Sequence, residues 1–493
     1  MELKVKILKW STGFPVAMLN QKTADEIGVN MGDRISIKSL SKGSKEISTI
    51  TNSVIRLVGK QEIAVSSELK ERLDLKQGEK VEINLSTAPD SLKYIKQKLN
   101  GGNFSKKQID EIIKDIVENS LSEAEIALFV SAMYKTGMSM KETIYLIDAI
   151  VKSGNKLNLK NKMIVDKHSI GGVPGNRTTP IIVSICAASG LTIPKSSSRA
   201  ITSAAGTADV IETIAKVEFS IKELKKIVLK TNACMIWGGS LGIVPADSRI
   251  IRVEKMLKID PEAQLLASIM SKKIAAGSKY ILIDIPYGKN AKVNKSKALR
   301  LKKKFEYLGK HYHKKLKVVL TDGNQPIGNG IGPALELIDV INILNPRKQG
   351  PKDLEKRSLY LAGQILEMAG KAKKQKGIDK AREILNSGKA FEKFKQIIQA
   401  QGGKLNGLAP GKFKYHIIAK KSGKIKEIFN NEISSLARIA GCPVDKSSGI
   451  YLYFHIGDKI KKGDKILTIY SESRFRIKEA ILFYKKEKPI IIK

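Results

Sequence analysis

The sequence predicts a multidomain α/β protein: a small N-terminal β-barrel-like domain over 1–85, a helical α lobe over 86–160, an α/β lobe with a central sheet over 161–345 and a C-terminal α+β domain over 346–493. Three observations predict it. At 493 residues the chain exceeds what one hydrophobic core accommodates, and 42% hydrophobic residues supply material for several. The apolar spacing changes along the chain, from short β-like runs to a helical period after residue 91 and then to strands alternating with helices. Between Val165 and Ala188 a short strand, a glycine-rich loop and an apolar helix follow one another, the order of a βα unit that carries a ligand at its loop.

In the first 85 residues the β-like runs are Leu3 to Lys9, Pro15 to Leu19, Arg34 to Ile37, Ile63 to Val65 and Val81 to Leu85. An internal echo lies at an offset of 46, with Ile27 matching Leu73, Gly32 matching Gly78, and Ile35 and Ile37 matching Val81 and Ile83. Two copies of a helix-turn-strand unit predict a pseudo-symmetric barrel in which each half covers the other's apolar face. Residues Ser86 to Asp90 form the linker. Beyond them Ile109, Ile112, Ile113, Ile116 and Val117 fall on one helical face and Ile126, Phe129, Val130 and Met133 on the next. Ser105 with Gln108, Ser122 with Glu125 and Ser139 with Glu142 read as capping boxes that start three helices.

The α/β lobe carries two polar loops. The first follows the strand ending near Ser169 and holds Gly171, Gly172 and Gly175, with Lys167, Ser169, Arg177, Thr178 and Thr179 as side-chain donors. Backbone N–H groups at such a turn and at the following helix N-terminus converge on an anion, so the loop reads as a phosphate cradle. The second runs through Ser196, Ser197, Ser198, Arg199, Thr202 and Ser203 to Ala204-Ala205-Gly206-Thr207. Small residues allow close backbone approach, and hydroxyls with one guanidinium suit phosphate or sugar oxygens. Ordinary βα loops also contain Gly and Ser; two such loops in one lobe argue for two bound phosphates.

Further on, a helix near Ile221 to Thr231 precedes a strand at Met235 to Trp237, and Asp260-Pro261-Glu262 opens another helix. Ser268, Ser271 and Lys272 follow Asp260 by two to three turns and can line a face with it; alternatively Asp260 is only an N-cap. Tyr280 to Ile285 is a strand, and Lys292 lies in the loop beyond its carboxyl end, as a ligand contact or a solvated lysine. A basic helix at Lys295 to Lys304, a strand from Val318, helices from Leu359 to Met368 and Ile378 to Leu385, and strands and turns from Lys412 complete the chain.

The formal net charge is +40, from 88 basic and 48 acidic residues. A basic surface binds polyanions, so a nucleic-acid-binding protein is one reading. The lysines are scattered, aromatics make up 5%, and no nucleic-acid motif stands out, which favours solvated helix faces and steering of small phosphorylated anions. No specific nucleic-acid partner is expected. Cys186, Cys234 and Cys442 form no pair in sequence, so neither a metal site nor a disulfide framework is indicated, and buried thiols are expected. No apolar run approaches the roughly 20 residues of a membrane span, and the start MELKVKILKW has no signal-peptide pattern, so a cytoplasmic protein without membrane attachment is expected.

The segments KHSIGG (167–172) and SSRAITSAAGTADVIE (197–212) resemble the thymidine/pyrimidine-nucleoside phosphorylase family, whose signature joins a serine-arginine pair to a Gly-Thr-x-Asp-x-x-Glu run. Ser203 and Ala205 stand where most bacterial members have histidine and a further glycine. With the Pro174-Gly175-Asn176-Arg177 form of the first loop, this resembles the archaeal AMP phosphorylase branch. The resemblance covers most of 1–475. It implies that part of 244–277 joins the helical lobe, that the tail is the family's C-terminal domain, and that the assembly is a homo-oligomer, at least a dimer.

For the site, the resemblance implies phosphate contacts from Lys167, Ser169, Thr179, Ser197 and Thr207, and nucleotide contacts from Gly172 and from Ser198, Arg199, Ala200, Ile201, Thr202 and Ser203. Asp260, Ser268 and Lys272 fall at base-recognition positions, Lys292 at a ligand contact, and His168 near ribose or base. Asp260 is the implied general acid toward the leaving base. Arg177 adds a further charge available to the nucleotide's 5′-phosphate. The implied reaction is phosphorolysis of AMP, and of CMP and UMP as further substrates, to free base and ribose 1,5-bisphosphate. Inorganic phosphate is then a co-substrate, and no cofactor or metal is needed. A nucleoside phosphorylase that ignores the 5′-phosphate is the alternative within the family.

Overall fold

The computed structural model describes residues 1–8, 15–41, 46–159, 163–200 and 203–493. Two compact units result, Met1–Gly154 with Val244–Ser268, and Asn155–Ile243 with Ile269–Lys493.

The first unit begins with a closed six-stranded barrel, in the order Glu2–Ile7, Glu62–Val65, Val16–Asn20, Glu46–Val54, Arg34–Ser39, Lys80–Leu85. The repeat is written into its register. Ile37 pairs with Ile83 and Met18 pairs with Ala64, each 46 positions apart, so the pseudo-twofold axis passes through these two of the four antiparallel seams. The parallel seams obey the same offset, since Val5 pairs with Ile63 and Ala17 with Thr51. Leu3, Val5, Leu19, Ile35, Ile37, Ile63, Val65, Val81 and Ile83 fill the interior. The strand Glu46–Val54 was not among the predicted runs, because EISTITNSV lacks a clear apolar alternation. Buried threonines take the inward places, and Thr49 donates its hydroxyl proton to Pro15 O at 3.0 Å. The 46-residue echo of the first strand was the signal for it. Lys9, the expected end of that first strand, lies outside the described residues.

Helices Ser91–Leu99, Lys106–Glu118, Glu123–Thr136, Met140–Lys152 and Pro245–Leu257 complete the unit. All three expected capping boxes form, each serine hydroxyl accepting from the backbone three residues on while that residue's side chain accepts from the serine N–H. Between helices, Lys98 Nζ and Glu142 Oε1 pair at 2.9 Å in a buried position, and Glu142 also accepts from Phe104 N.

In the second unit five parallel strands stand in the order Lys315–Asp322, Tyr280–Tyr287, Val165–Ser169, Ile193–Ser197, Ala233–Trp237. The single bridge Ile164–Thr192 joins the three to the two. Their carboxyl ends share one edge. Helix Thr178–Ala188, apolar on every side in sequence, is buried on every side, packed against helices Lys352–Met368 and Lys389–Ala400. Those helices, expected with the tail, share the core of the sheet: Leu354, Leu361, Ile365, Phe394 and Ile397 pack with Val165, Ile181, Ile193 and Leu282. A separate core of Ile425, Ile433, Leu436, Ile450, Leu467 and Ile469 lies under the strands and helices that follow residue 412. Cys186, Cys234 and Cys442 are buried free thiols whose pKa burial raises. Among the described residues no helix is long and apolar enough to cross a membrane.

Candidate active site

The first loop is shaped by three glycines of positive φ, at +86° for Gly171, +88° for Gly172 and +68° for Gly175. Gly172 is also in close contact with Lys292, since a Cβ there would lie 2.7 Å from the Lys292 Cβ. Two predicted site residues are thus brought together by backbone approach. At the base of the loop Lys167 is buried and donates to Thr178 Oγ1 at 2.9 Å. Burial pulls its pKa down to about 8, opposed by Asp284 and reinforced by Arg177, Arg357 and Lys273.

Ser169 and Ser197 each stand five residues past the bridged pair Ile164–Thr192, at the carboxyl ends of adjacent parallel strands. Both hydroxyl oxygens are buried and without a hydrogen-bond partner. Buried hydroxyls without partners cost free energy. That cost is retained at the two places where the loops predict anion contacts. Thr179 is buried in the first turn of the following helix. His168, between Lys167 and Ser169 in the strand, has its pKa held well below the ordinary value by burial and by Lys273, Lys195, Lys272 and Lys167 in turn. It is a neutral imidazole in a cationic surround. Beneath the strand, Asp166 pairs with Lys273 at 2.7 Å and with Lys195 at 3.6 Å, and burial brings the Lys273 pKa down to about 7.

The expectation that Arg177 is a spare charge for the nucleotide is corrected. Its Nε donates to Glu336 Oε2 at 2.6 Å, Nη1 to Thr207 Oγ1 at 2.8 Å and Nη2 to Ala205 O at 2.9 Å, all buried. The guanidinium braces the second loop from within, and Thr207 is one of its partners.

The second loop is closed by carboxylates. Asp209 Oδ2 accepts from Ala200 N at 2.6 Å and from Gly206 N at 2.8 Å, folding the loop's two ends together. A Cβ on Gly206 would come within 2.4 Å of Ser198 O, so the closure requires glycine there. Arg199 donates to both oxygens of Glu212, at 2.5 and 2.6 Å, and to Glu218 at 2.8 Å, and stacks 4.9 Å from the Trp237 ring centroid. These bonds raise the Arg199 pKa and take that of Glu212 down to about 2. The Arg199 charge is therefore committed to protein carboxylates in this structure, and the loop's remaining donors are backbone N–H groups and hydroxyls. Ser198 is exposed, and Ser203 Oγ donates to Ala205 O at 3.1 Å. Ile201 and Thr202 lie outside the described residues.

Asp260 sits between helices Pro245–Leu257 and Glu262–Ala275, two residues before the second, partly buried. Ser268 and Lys272 are four residues apart on that helix and share a face. Asp260 and Ser268 belong to the first unit and Lys272 to the second. Sequence reasoning quoted Asp209 and Glu212 inside the signature without giving them work; their spacing to the loop they close was the available signal. Asp166, Asp284 and Asn430 carried none, because their partners are remote in sequence.

A parallel α/β sheet with two anion-suited loops at one edge, accompanied by a helical bundle, defines the glycosyl transferase class of phosphate-using enzymes. The glycosyl transferase family α/β domain matches residues 161–391, its helical bundle domain residues 92–154, and the pyrimidine nucleoside phosphorylase C-terminal domain residues 424–490. The AMP phosphorylase of Thermococcus kodakarensis is 43% identical over 100% of this chain and 98% of its own. A Legionella pneumophila protein with a provisional thymidine phosphorylase name is 41% identical over 90% of this chain and 86% of its own. The crystal structure of anthranilate phosphoribosyltransferase from Thermus thermophilus shares the fold, with a TM-score of 0.52 at 17% identity over 64% of this chain and all of that one. The chain belongs to the AMP phosphorylase branch of the thymidine/pyrimidine-nucleoside phosphorylase family.

Proposed function

We propose that the protein is a pentosyltransferase that phosphorolyses nucleoside 5′-monophosphates, AMP first and CMP and UMP as further substrates. A phosphate oxygen forms a bond to the ribose anomeric carbon as the carbon–nitrogen bond to the base breaks. The electron pair leaves with the base, which takes a proton from Asp260, and ribose 1,5-bisphosphate remains. Lys167, Ser169, Thr179, Ser197 and Thr207 hold the attacking phosphate, and the run 198–203 with Gly172 and Lys292 receives the nucleotide. Ser268, Lys272 and His168 face base and ribose. Phosphate held beneath the anomeric carbon by preorganised donors supplies orientation and charge stabilisation together, and a placed proton donor contributes about 10²–10⁴-fold.

One observation carries the reading: two buried, partnerless serine hydroxyls, each five residues beyond the bridge that joins their neighbouring strands, with a buried lysine two residues before the first. The relatives named AMP phosphorylase support the choice of substrate. The reaction uses phosphate as co-substrate and no other cofactor, and the working form is a cytoplasmic homo-oligomer without a specific nucleic-acid partner. The Legionella relative favours a second reading, a nucleoside phosphorylase indifferent to the 5′-phosphate. Phosphate-dependent release of free base decides between them, measured with AMP, CMP and UMP beside thymidine and uridine. Turnover of thymidine and uridine with none of the nucleotides would sink the proposal.

A further inference from the structure

Two side chains from the C-terminal domain reach the loops of the site. Asn430, 1% exposed at the start of helix Asn430–Ala440, turns its Nδ2 toward three carbonyl oxygens: Asn290 at 2.9 Å, Gly323 at 2.8 Å and Gly172 at 3.4 Å. The opposite amide orientation would set its oxygen against three other oxygens, so the chemistry fixes which end points inward. These carbonyls belong to the first glycine loop, the loop of Lys292 and the loop after strand Lys315–Asp322. One amide therefore ties together three segments at the carboxyl edge of the sheet, including the Gly172–Lys292 contact.

Lys446 does corresponding work on the second loop. Its Nζ lies 2.7 Å from Glu212 Oε2 and 3.7 Å from Asp209 Oδ1, while its backbone carbonyl accepts from Ala334 N at 2.9 Å. Asp209 and Glu212 are the carboxylates that close the loop and hold Arg199. Asp209, Glu212 and Glu218 carry three negative charges against the single charge of Arg199. Lys446 supplies the second cation, without which the carboxylate excess beside a loop meant for a phosphorylated ligand would double.

We infer that the C-terminal domain forms part of the active-site frame, with Asn430 positioning the first loop and the Lys292 loop, and Lys446 positioning the second by neutralising the carboxylates that close it. Neither side chain touches substrate in this account; both are positioning residues. The kinetic readout rests on the proposed function, in which the 198–203 run with Gly172 and Lys292 receives the nucleotide and Lys167, Ser169, Thr179, Ser197 and Thr207 hold phosphate.

The experiment uses the full chain with Lys446→Met, Lys446→Arg and Asn430→Asp, reading KM for AMP, KM for phosphate and amide hydrogen exchange without ligand. Lys446 is one-third exposed, so its variants fold. Lys446→Met raises KM for AMP about tenfold with KM for phosphate within twofold and speeds exchange at Ala200 and Gly206, and Lys446→Arg restores both. Asn430→Asp, which keeps the shape but sets an oxygen against three carbonyls, raises KM for AMP through Gly172 and the Lys292 loop and speeds exchange across 170–177. Unchanged exchange at those amides in Lys446→Met, or equal shifts of both KM values, overturns the inference. The exchange readout needs no substrate, so failure of the wild-type chain to use AMP would refute the proposed function while leaving the bracing decided by exchange alone.

Discussion

The two loops at the edge of the sheet are built from the same order, strand, small-residue loop, helix, yet are held by opposite means. The first is held by geometry, with three left-handed glycines, Gly172 pressed on Lys292, and a buried lysine below whose charge the protein leaves largely unpaired. The second is held by charge, with Asp209 gathering two backbone N–H groups and Arg199 saturated by Glu212 and Glu218. A loop left with surplus positive charge suits a small free dianion. One that has spent its guanidinium on its own carboxylates presents N–H groups and hydroxyls and can discriminate by shape. The presence of an arginine in a polar loop thus says little about where its charge goes.

The comparison breaks most severely at Arg177, whose side chain links the two loops. Arg177→Met leaves the buried Glu336 carboxyl without its cation and Ala205 O and Thr207 without their donor, and is expected to cost about 3 kcal/mol of stability, read by denaturant unfolding. A change under 0.5 kcal/mol would show that the brace is ornamental. Next comes Gly172→Ala, which places a Cβ 2.7 Å from Lys292 at a φ of +88°. A strain of about 1–3 kcal/mol at the site predicts a loss of kcat/KM of roughly 10–100-fold with little change in the second loop; wild-type kinetics would remove the first loop from the site.

Asp209→Ala tests the charge-held loop. Two backbone donors lose their acceptor, and KM for AMP is expected to rise about tenfold, a cost near that of a buried unsatisfied group, while KM for phosphate stays within about twofold. Equal rises in both constants would mean that the 198–203 run does not serve the nucleotide separately from phosphate.

The smallest effect is a pH dependence. Lys167 has a folded pKa of about 8, below its unfolded value near 10.4, so the unfolded chain binds more protons between those limits. The ligand-free protein therefore gains stability from this group as pH rises through that window, while phosphate binding weakens because the lysine has lost its charge. KM for phosphate should rise several-fold from pH 7 to 9, with KM for AMP nearly flat. A phosphate KM independent of pH over that range would take Lys167 out of the cradle.

The sequence by itself determined the elements whose causes are local. The 46-residue echo marked a pseudo-symmetric barrel, and the observed pairs Ile37–Ile83 and Met18–Ala64 lie at that offset. Serine three residues before Gln or Glu marked three helix starts, a glycine cluster after a short apolar run marked the first loop, and a run of hydroxyl-bearing and small residues marked the second. Each depends on atoms a few residues apart, or on a repeat that fixes its own partner, so spacing carries the information. Only the tertiary structure decided that Arg177 and Arg199 spend their charge on Glu336, Glu212 and Glu218, that helices Lys352–Met368 and Lys389–Ala400 belong to the sheet's core, and that Asn430 and Lys446 reach back to loops more than 200 residues earlier. The reason is the reach of a long polar side chain: its partner is whichever opposite group packing delivers within about 3 Å, and that is fixed by how sheets and helices stack, which no local spacing records.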